Sequence, residues 1–332
     1  MIYTLTFNPS LDYIAYTDDL AEGKIHKISD YELFPGGKGI NVSQVLSELG
    51  LESVAWGFVA GVTGESLKKL LDDKHIACDF IEMPEGLTRI NVKLRHCATK
   101  KDISSAVTET DFNGVGLNIS EGAIEELTDK IKTLSAEDVL AVSGSIPSSV
   151  SLETFNNILD ILDNTGAKLI ADITGDYLEI ALRHTPFLVK PNEEELKEFY
   201  KNRHRLLTKL VDNGLVENYS IEDMAGYLKE MGAENVLVSL GENGAFLMTK
   251  EGDNYKMEPP HGKVVNTVGA GDSMVAGFIA GVYRNGIFDI ANEDDKCSYT
   301  EALRLAVCAG SASAFSKGLA TNELIERLVD GL

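Results

Sequence analysis

The chain has 332 residues, 44% of them hydrophobic and 25% charged, which supplies one large core or two modest ones and excludes a disordered polymer. With 52 acidic against 30 basic residues the formal charge is -22, which argues against generic attraction to nucleic acid or an anionic membrane, so an anionic ligand needs a local basic pocket. Cys78, Cys97, Cys297 and Cys308 are scattered without a CxxC pair, which disfavours disulfides and thiolate zinc; with no signal-peptide pattern and no apolar run of about 18 residues, the expected location is cytoplasmic.

The first short apolar run, Ile2 to Phe7, reads as a strand buried on both faces. The stretch Asp12 to Leu33 breaks the rhythm that follows elsewhere and is assigned to a small sheet outside the main one. Next comes Phe34-Pro-Gly36-Gly37-Lys38-Gly39-Ile40-Asn41, a glycine-rich turn that runs into the helical pattern Val42, Val45, Leu46, Leu49. It matches neither GxxxxGK[ST] nor GxGxxG, which counts against a Walker-type or nicotinamide site. It is either a tight turn with a helix cap or a place where a hydroxylated ligand lies against bare backbone beside Asn41.

A second strand is expected over Ser53 to Phe58. From Thr88 to about Asp111 polar and apolar residues alternate, placing Arg89, Asn91 and Lys93 on one face. That face is either a solvated edge or a phosphate clamp, Arg being able to bind two oxygens at once. Together with Asp12 to Leu33 it predicts a β-sheet lid whose polar face turns to solvent or to a ligand.

Strands over Val139 to Ser143 and Leu169 to Asp172 then alternate with helices over Leu152 to Leu162 and Asp176 to Leu182. This predicts an α/β fold with a central, mainly parallel sheet flanked by helices. A strand at Leu188 to Lys190 stops at Pro191, and Asn192-Glu-Glu-Glu195 opens a helix. Acid in a first helical turn is routine, but Asn192 and Glu195 one turn apart also suit a hydrated Mg2+ ion. Lys201 to Ser220 reads as a surface excursion with some helix. After a strand at Val236 to Leu240, Ser239-Leu-Gly241-Glu-Asn-Gly244 is a turn, either a plain hairpin or bare backbone facing phosphate. Finally Asn266-Thr-Val-Gly269-Ala270-Gly271-Asp272 opens an apolar helix, where unpaired N–H groups attract anions. Asp272 is there either a capping residue contributing about 0.5 to 2 kcal/mol or a base. Gly277 and Gly281 interrupt that helix at helical spacing, which points to close approach of a ligand or another backbone.

Taken together GGKGINV, TRINVK, SGSIP, KPNEEEL, SLGENGA and NTVGAGDSMVAGF, in this order from TLTFNPSLD to GSASAF, resemble the ribokinase-like PfkB family of sugar kinases over nearly the whole chain. The resemblance implies one ribokinase-like domain, residues 1–332, with a discontinuous lid from about 12–33 and 88–111. It implies ATP as co-substrate and a sugar-phosphate acceptor. PGGKGINV followed by TRINVK is most similar to the branch that phosphorylates the 6-hydroxyl of fructose 1-phosphate, with tagatose-6-phosphate kinases as the near rival. By the same resemblance Asp12, Gly37, Lys38 and Asn41 hold the sugar, and Arg89 and Lys93, with Asn91 between them, meet its phosphate. Asp272 deprotonates the acceptor, and Gly269, Ala270 and Gly271 present N–H donors to the phosphoryl group. Lys190, Asn192, Ser239, Gly241 and Gly244 line the ATP side, and Glu195 positions Mg2+ through water. A homodimer paired through the lid is the assembly it allows. His26-Lys27 stands where many relatives carry Asn-Arg, Gln44 replaces a frequent Arg, and the segments 97–118 and 201–220 look longer than usual. A sugar-phosphate binding protein without catalysis is the reading from another class; a dehydrogenase lacks its fingerprint.

Overall fold

The computed structural model describes residues 1–17, 21–96, 108–207, 219–284 and 295–331. Parts of both long segments singled out above, 97–107 and 208–218, and Cys97 with them, lie outside the described residues, as does 18–20 of the first lid stretch.

The chain begins with β1 (Ile2–Thr6), β2 (Ser10–Thr17), β3 (Asp30–Gly36), α1 (Lys38–Glu48), β4 (Ser53–Ala60), α2 (Gly61–Asp72), β5 (Ala77–Cys78) and β6 (Ile81–Met83). It continues through β7 (Arg89–His96), β8 (Thr108–Phe112), α3 (Glu121–Ile131), β9 (Val139–Ser143), α4 (Leu152–Asp163), β10 (Lys168–Asp172), α5 (Gly175–Arg183) and β11 (Leu188–Val189). The last third comprises α6 (Glu193–Leu207), α7 (Ile221–Glu230), β12 (Asn235–Ser239), β13 (Ala245–Met248), β14 (Asn254–Met257), α8 (Ala270–Arg284), α9 (Asp295–Ala314) and α10 (Asn322–Asp330).

The main sheet runs in the order β14-β13-β12-β11-β10-β9-β1-β4-β5, with β6 also on β4. All its pairings are parallel except β12 with β13 and β13 with β14. Short apolar runs make these strands because successive residues feed opposite faces. Leu140, Val142, Leu169, Ala171, Val236 and Val238 join the core built with α3 to α7. Val139, Ala141, Ile170 and Leu237 join the core built with α1, α8, α9 and α10. From β1 the chain passes to β4 on one side of it, and β9 pairs on the other, so a crevice opens at the carboxyl ends around β1 and β9.

Gly277 and Gly281 serve this packing. A Cβ on Gly281 would stand 2.4 Å from Ala302 Cα, and one on Gly277 2.6 Å from Leu305 O, so both glycines admit the backbone of α9 and no ligand.

A second sheet, β3-β2-β7-β8, stands apart, with β2 and β7 parallel and the outer pairs antiparallel. Its polar side is the sheltered one: Asn91 is 7% and Lys93 9% exposed, whereas Tyr31 on the opposite face is 61% and Phe112 58% exposed. The polar row therefore faces the crevice, and the apolar row of Tyr13, Tyr31, Leu33, Ile90 and Phe112 faces outward, the reverse of an edge with a wet polar face.

Candidate active site

The crevice collects the ends of several strands. β10 delivers Asp172, β11 leads to Lys190, β12 ends at Ser239, and α1 and α8 start there with Lys38 and Ala270. One cavity of ≈ 390 Å3 is lined by Asp12, Gly37, Lys38, Asn41, Arg89 and Asn91 on one side. Lys190, Asn192, Glu195, Ser239, Gly269, Gly271 and Asp272 line the other. It opens into a larger cavity of ≈ 970 Å3, where Asn192, Ser239 and Gly271 meet Gly241, Gly244 and Ala270. Lys93 lines neither; it borders a third cavity of ≈ 430 Å3 that shares Asp12 and Asn41.

The glycines have backbone reasons to be there. Gly269 has φ +79°, a left-handed turn that swings the chain into α8, and a Cβ on it would stand 2.5 Å from Leu319 Cδ2. Gly244 has φ +83°, and its Cβ would overlap Met257 O at 1.9 Å, so it closes the β12–β13 hairpin. In the first turn of α8 the amides of Gly271 and Asp272 have no preceding carbonyl to bond, which leaves a partial positive charge at the junction of the ≈ 390 and ≈ 970 Å3 cavities.

Asp272 is 6% exposed, and Asn41 Nδ2 donates to its Oδ2 at 2.8 Å. Burial, and after it the carboxylate of Asp172, pushes Asp272 up to about 6; the Asn41 bond and the Lys38 and Lys190 ammonium groups pull the other way. A carboxyl group tuned near neutrality can both accept and release a proton at working pH. Gln44 Nε2 in turn donates to Asn41 Oδ1 at 3.4 Å, which helps orient the amide towards the carboxylate and leaves it a second N–H at the cavity wall.

Asp12 is held on both oxygens: Asn91 Nδ2 donates to Oδ1 at 2.9 Å and Lys93 Nζ lies 2.9 Å from Oδ2. Gly36 makes room for it, since a Cβ there would stand 2.4 Å from Asp12 Oδ1. Arg89 Nη2 donates to Asn8 O at 2.9 Å while its Nε is buried without a partner, a donor left for a ligand. Burial holds the Arg89 pKa below its usual value, against the opposing pull of Asp12. At the head of α6 the Asn192 N–H donates to Glu195 Oε2 and the Glu195 N–H donates to Asn192 Oδ1, both at 2.8 Å. This is a reciprocal cap, so both residues are structural as well as cavity-lining.

Sequence reasoning missed Asp172. It is buried at the end of β10 between Lys38 Nζ and Lys190 Nζ, each 3.2 Å from one of its oxygens. Burial raises the Asp172 pKa, but Lys190 and Lys38 outweigh it and hold the group below the ordinary carboxylate value. The signal was present: an acid closing an apolar strand, at the end of the sheet where ligands collect. Ser10, whose Oγ donates to Asp12 Oδ1 at 2.8 Å, was missed as well.

A buried carboxyl near neutral pH, an anion-attracting helix start and converging ammonium groups, set between a small and a large cavity, define a phosphotransferase site. The matching family model covers residues 6–326 and describes pfkB family carbohydrate kinases, and the chain belongs to that family, with its ribokinase-like fold. The chain is 38% identical to a 1-phosphofructokinase of Bacillus subtilis, covering 99% of this chain and 97% of that one. It is 34% identical to a D-tagatose-1-phosphate kinase of Bacillus licheniformis, with 96% and 94% covered. The structure of phosphofructokinase-2 from Escherichia coli in complex with fructose-6-phosphate superposes with a TM-score of 0.80 at 27% identity, covering 100% of this chain and 98% of that one. The chain is a carbohydrate kinase with ATP as its co-substrate.

Proposed function

We propose that this kinase transfers the γ-phosphoryl group of ATP to the 6-hydroxyl of fructose 1-phosphate, giving fructose 1,6-bisphosphate and ADP. The observation that carries the reaction type is Asp272, buried, held by Asn41 and pushed up to about 6 at the open start of α8, between the small cavity and the large one. The choice of sugar is supported by the full-length similarity to the Bacillus subtilis 1-phosphofructokinase.

In this reading the small cavity holds the sugar phosphate, with Asp12 and Lys38 on its hydroxyls and Arg89 on its phosphate. The larger cavity holds ATP, with Lys190, Asn192 and Ser239 towards its phosphates and Gly241 and Gly244 bringing backbone close. The O6 proton passes to an Asp272 carboxylate oxygen as O6 bonds to the γ-phosphorus and the bond to the bridging oxygen of ADP breaks. The amides at Gly269 to Gly271 stabilise the charge on the phosphoryl oxygens, and closure of the small sheet as a lid excludes water.

Glu195 and Asn192 offer oxygen donors of the kind Mg2+ accepts. With Glu195 Oε2 and Asn192 Oδ1 each taking the other's N–H, they would hold the ion through water. Bound there, Mg2+ would supply positive charge against the phosphates. The free thiols of Cys78 and Cys308 and the use of ATP fit a cytoplasmic location. The exposed apolar face of the small sheet fits a second copy of the chain, giving a homodimer joined through the lids.

A coupled ADP-release assay tests the assignment with fructose 1-phosphate, tagatose 1-phosphate, tagatose 6-phosphate, fructose 6-phosphate and ribose. The highest kcat/KM is expected for fructose 1-phosphate. Tagatose 1-phosphate, which has the same C1 phosphate and C6 hydroxyl, is the second reading, supported by the Bacillus licheniformis relative. Sugar-phosphate binding without ADP release defeats the enzymatic reading.

A further inference from the structure

Asp172 is 1% exposed, and a carboxylate this deep requires compensation. Its two ammonium partners come from opposite sides of the site. Lys38 opens α1 directly after Gly37, three residues before Asn41, on the acceptor side. Lys190 follows β11 on the donor side, and a Cβ on Gly271 would stand 3.3 Å from its Nζ, so it lies against the turn that leads to Asp272. Without Asp172, two like charges on flexible stems would repel one another. The 3.2 Å separations are longer than the tightest charge-assisted bonds, and each ammonium has three donors, so both retain capacity for a further anion. Burial works against the charge on Lys38, yet Asp172, with Asp272 and Glu195, carries its pKa above the ordinary value.

We infer that Asp172 is a positioning residue for phosphoryl transfer: it anchors Lys38 and Lys190 side by side at the Gly269 to Asp272 turn, so that an acceptor-side and a donor-side cation converge on the group in transit. This rests on the kinase reading above. The Asp172 charge also acts on the base. Asp272 is faced by Asn41 and Lys38 from α1, by Asp172 from β10 and by Lys190 beyond β11, while Glu195 of α6 acts on Lys38. Of these only Asp172 joins burial in raising the proton affinity of Asp272.

Asp172→Asn keeps the shape and removes the charge. With ATP and fructose 1-phosphate, kcat is expected to fall on the order of 10²-fold, with little change in either KM. A base is active when deprotonated, so the acid limb of kcat/KM should move from near pH 6 towards lower pH. Phosphate monoesters titrate near the same pH, but wild type and variant meet the same substrates, so the displacement between the two profiles belongs to the protein. Loss of packing alone moves no limb. In a Lys38→Met background the same substitution should cost less than in wild type. Asp172→Glu, which displaces the charge by one methylene and keeps it, should lower kcat and leave the limb in place. It serves also if the Asn variant fails to fold. Wild-type kcat in either variant, an unmoved limb in Asp172→Asn, or full additivity with Lys38→Met overturns the inference. Wild-type turnover, measured first, tests the kinase reading separately.

Discussion

Replacing Asp272 by Asn should make the protein more stable at pH 8 while removing its activity. The folded group titrates at about 6, whereas an unfolded Asp titrates near 3.9. The folded state therefore binds this proton more tightly, and the stability it contributes is present below about pH 4 and lost as pH rises through 6. The shift of about two units corresponds to a penalty of up to ~3 kcal/mol at pH 8, about half of it gone at pH 5. Asn is isosteric, keeps an acceptor for Asn41 Nδ2 and carries no charge, so it escapes the penalty. The variant should melt roughly 2 to 6 °C higher than wild type at pH 8, with a smaller gap at pH 5. Turnover should fall by about 10²- to 10⁴-fold, as for loss of a general base. Thermal melts at the two pH values and a steady-state assay check both halves. A variant that is less stable at pH 8, a gap independent of pH, or near-wild-type turnover would refute the reasoning.

Four further outcomes follow from single positions. Arg89→Ala should raise the KM for the sugar phosphate about 10- to 100-fold, with a smaller loss of kcat, because in the proposed reading its unpartnered Nε meets the substrate before and during transfer; a pure kcat defect in steady-state kinetics counts against this placement. Gly281→Ala should destabilise by about 1 to 3 kcal/mol although alanine favours helix, because its Cβ meets the α9 backbone. Gly226→Ala in α7, where nothing lies within 4 Å, should stabilise by about 0.5 to 1 kcal/mol; denaturant melts showing the same sign for both would contradict the packing account. Tyr31→Asp, on the exposed outer face of the small sheet, should shift a dimer to monomer in analytical ultracentrifugation, and an unchanged sedimentation coefficient would remove that interface.

Much of this architecture was legible because it is local. The run Val139–Ser143 alternates between two cores, and Asn192 and Glu195 sit at N-cap spacing, so neither needs distant information. The GAGD turn was legible as an anion-attracting helix start that left Asp272 open between a cap and a base; its neutral-range titration was not legible, since it depends on burial and on Asp172, a hundred residues earlier in the chain. Asp172 looked like the end of a strand until Lys38 and Lys190 were found around it. For the small sheet the sequence left the direction open between solvent and ligand: an alternating pattern gives two faces without saying which is wet, and here the crevice takes the polar one. Lys93 shares a face with Arg89, yet it pairs with Asp12 and borders the neighbouring cavity, a distinction that period 2 cannot make.

The central claim is transfer to a sugar hydroxyl, and the most direct measurement is the phosphorus NMR spectrum of fructose 1-phosphate incubated with Mg-ATP and the protein. The γ-phosphate resonance of ATP should decline as ADP and fructose 1,6-bisphosphate appear in equal amounts, with no conversion by Asp272→Asn on the same timescale. ADP accompanied by inorganic phosphate without bisphosphate, or equal conversion by the variant, would contradict the account.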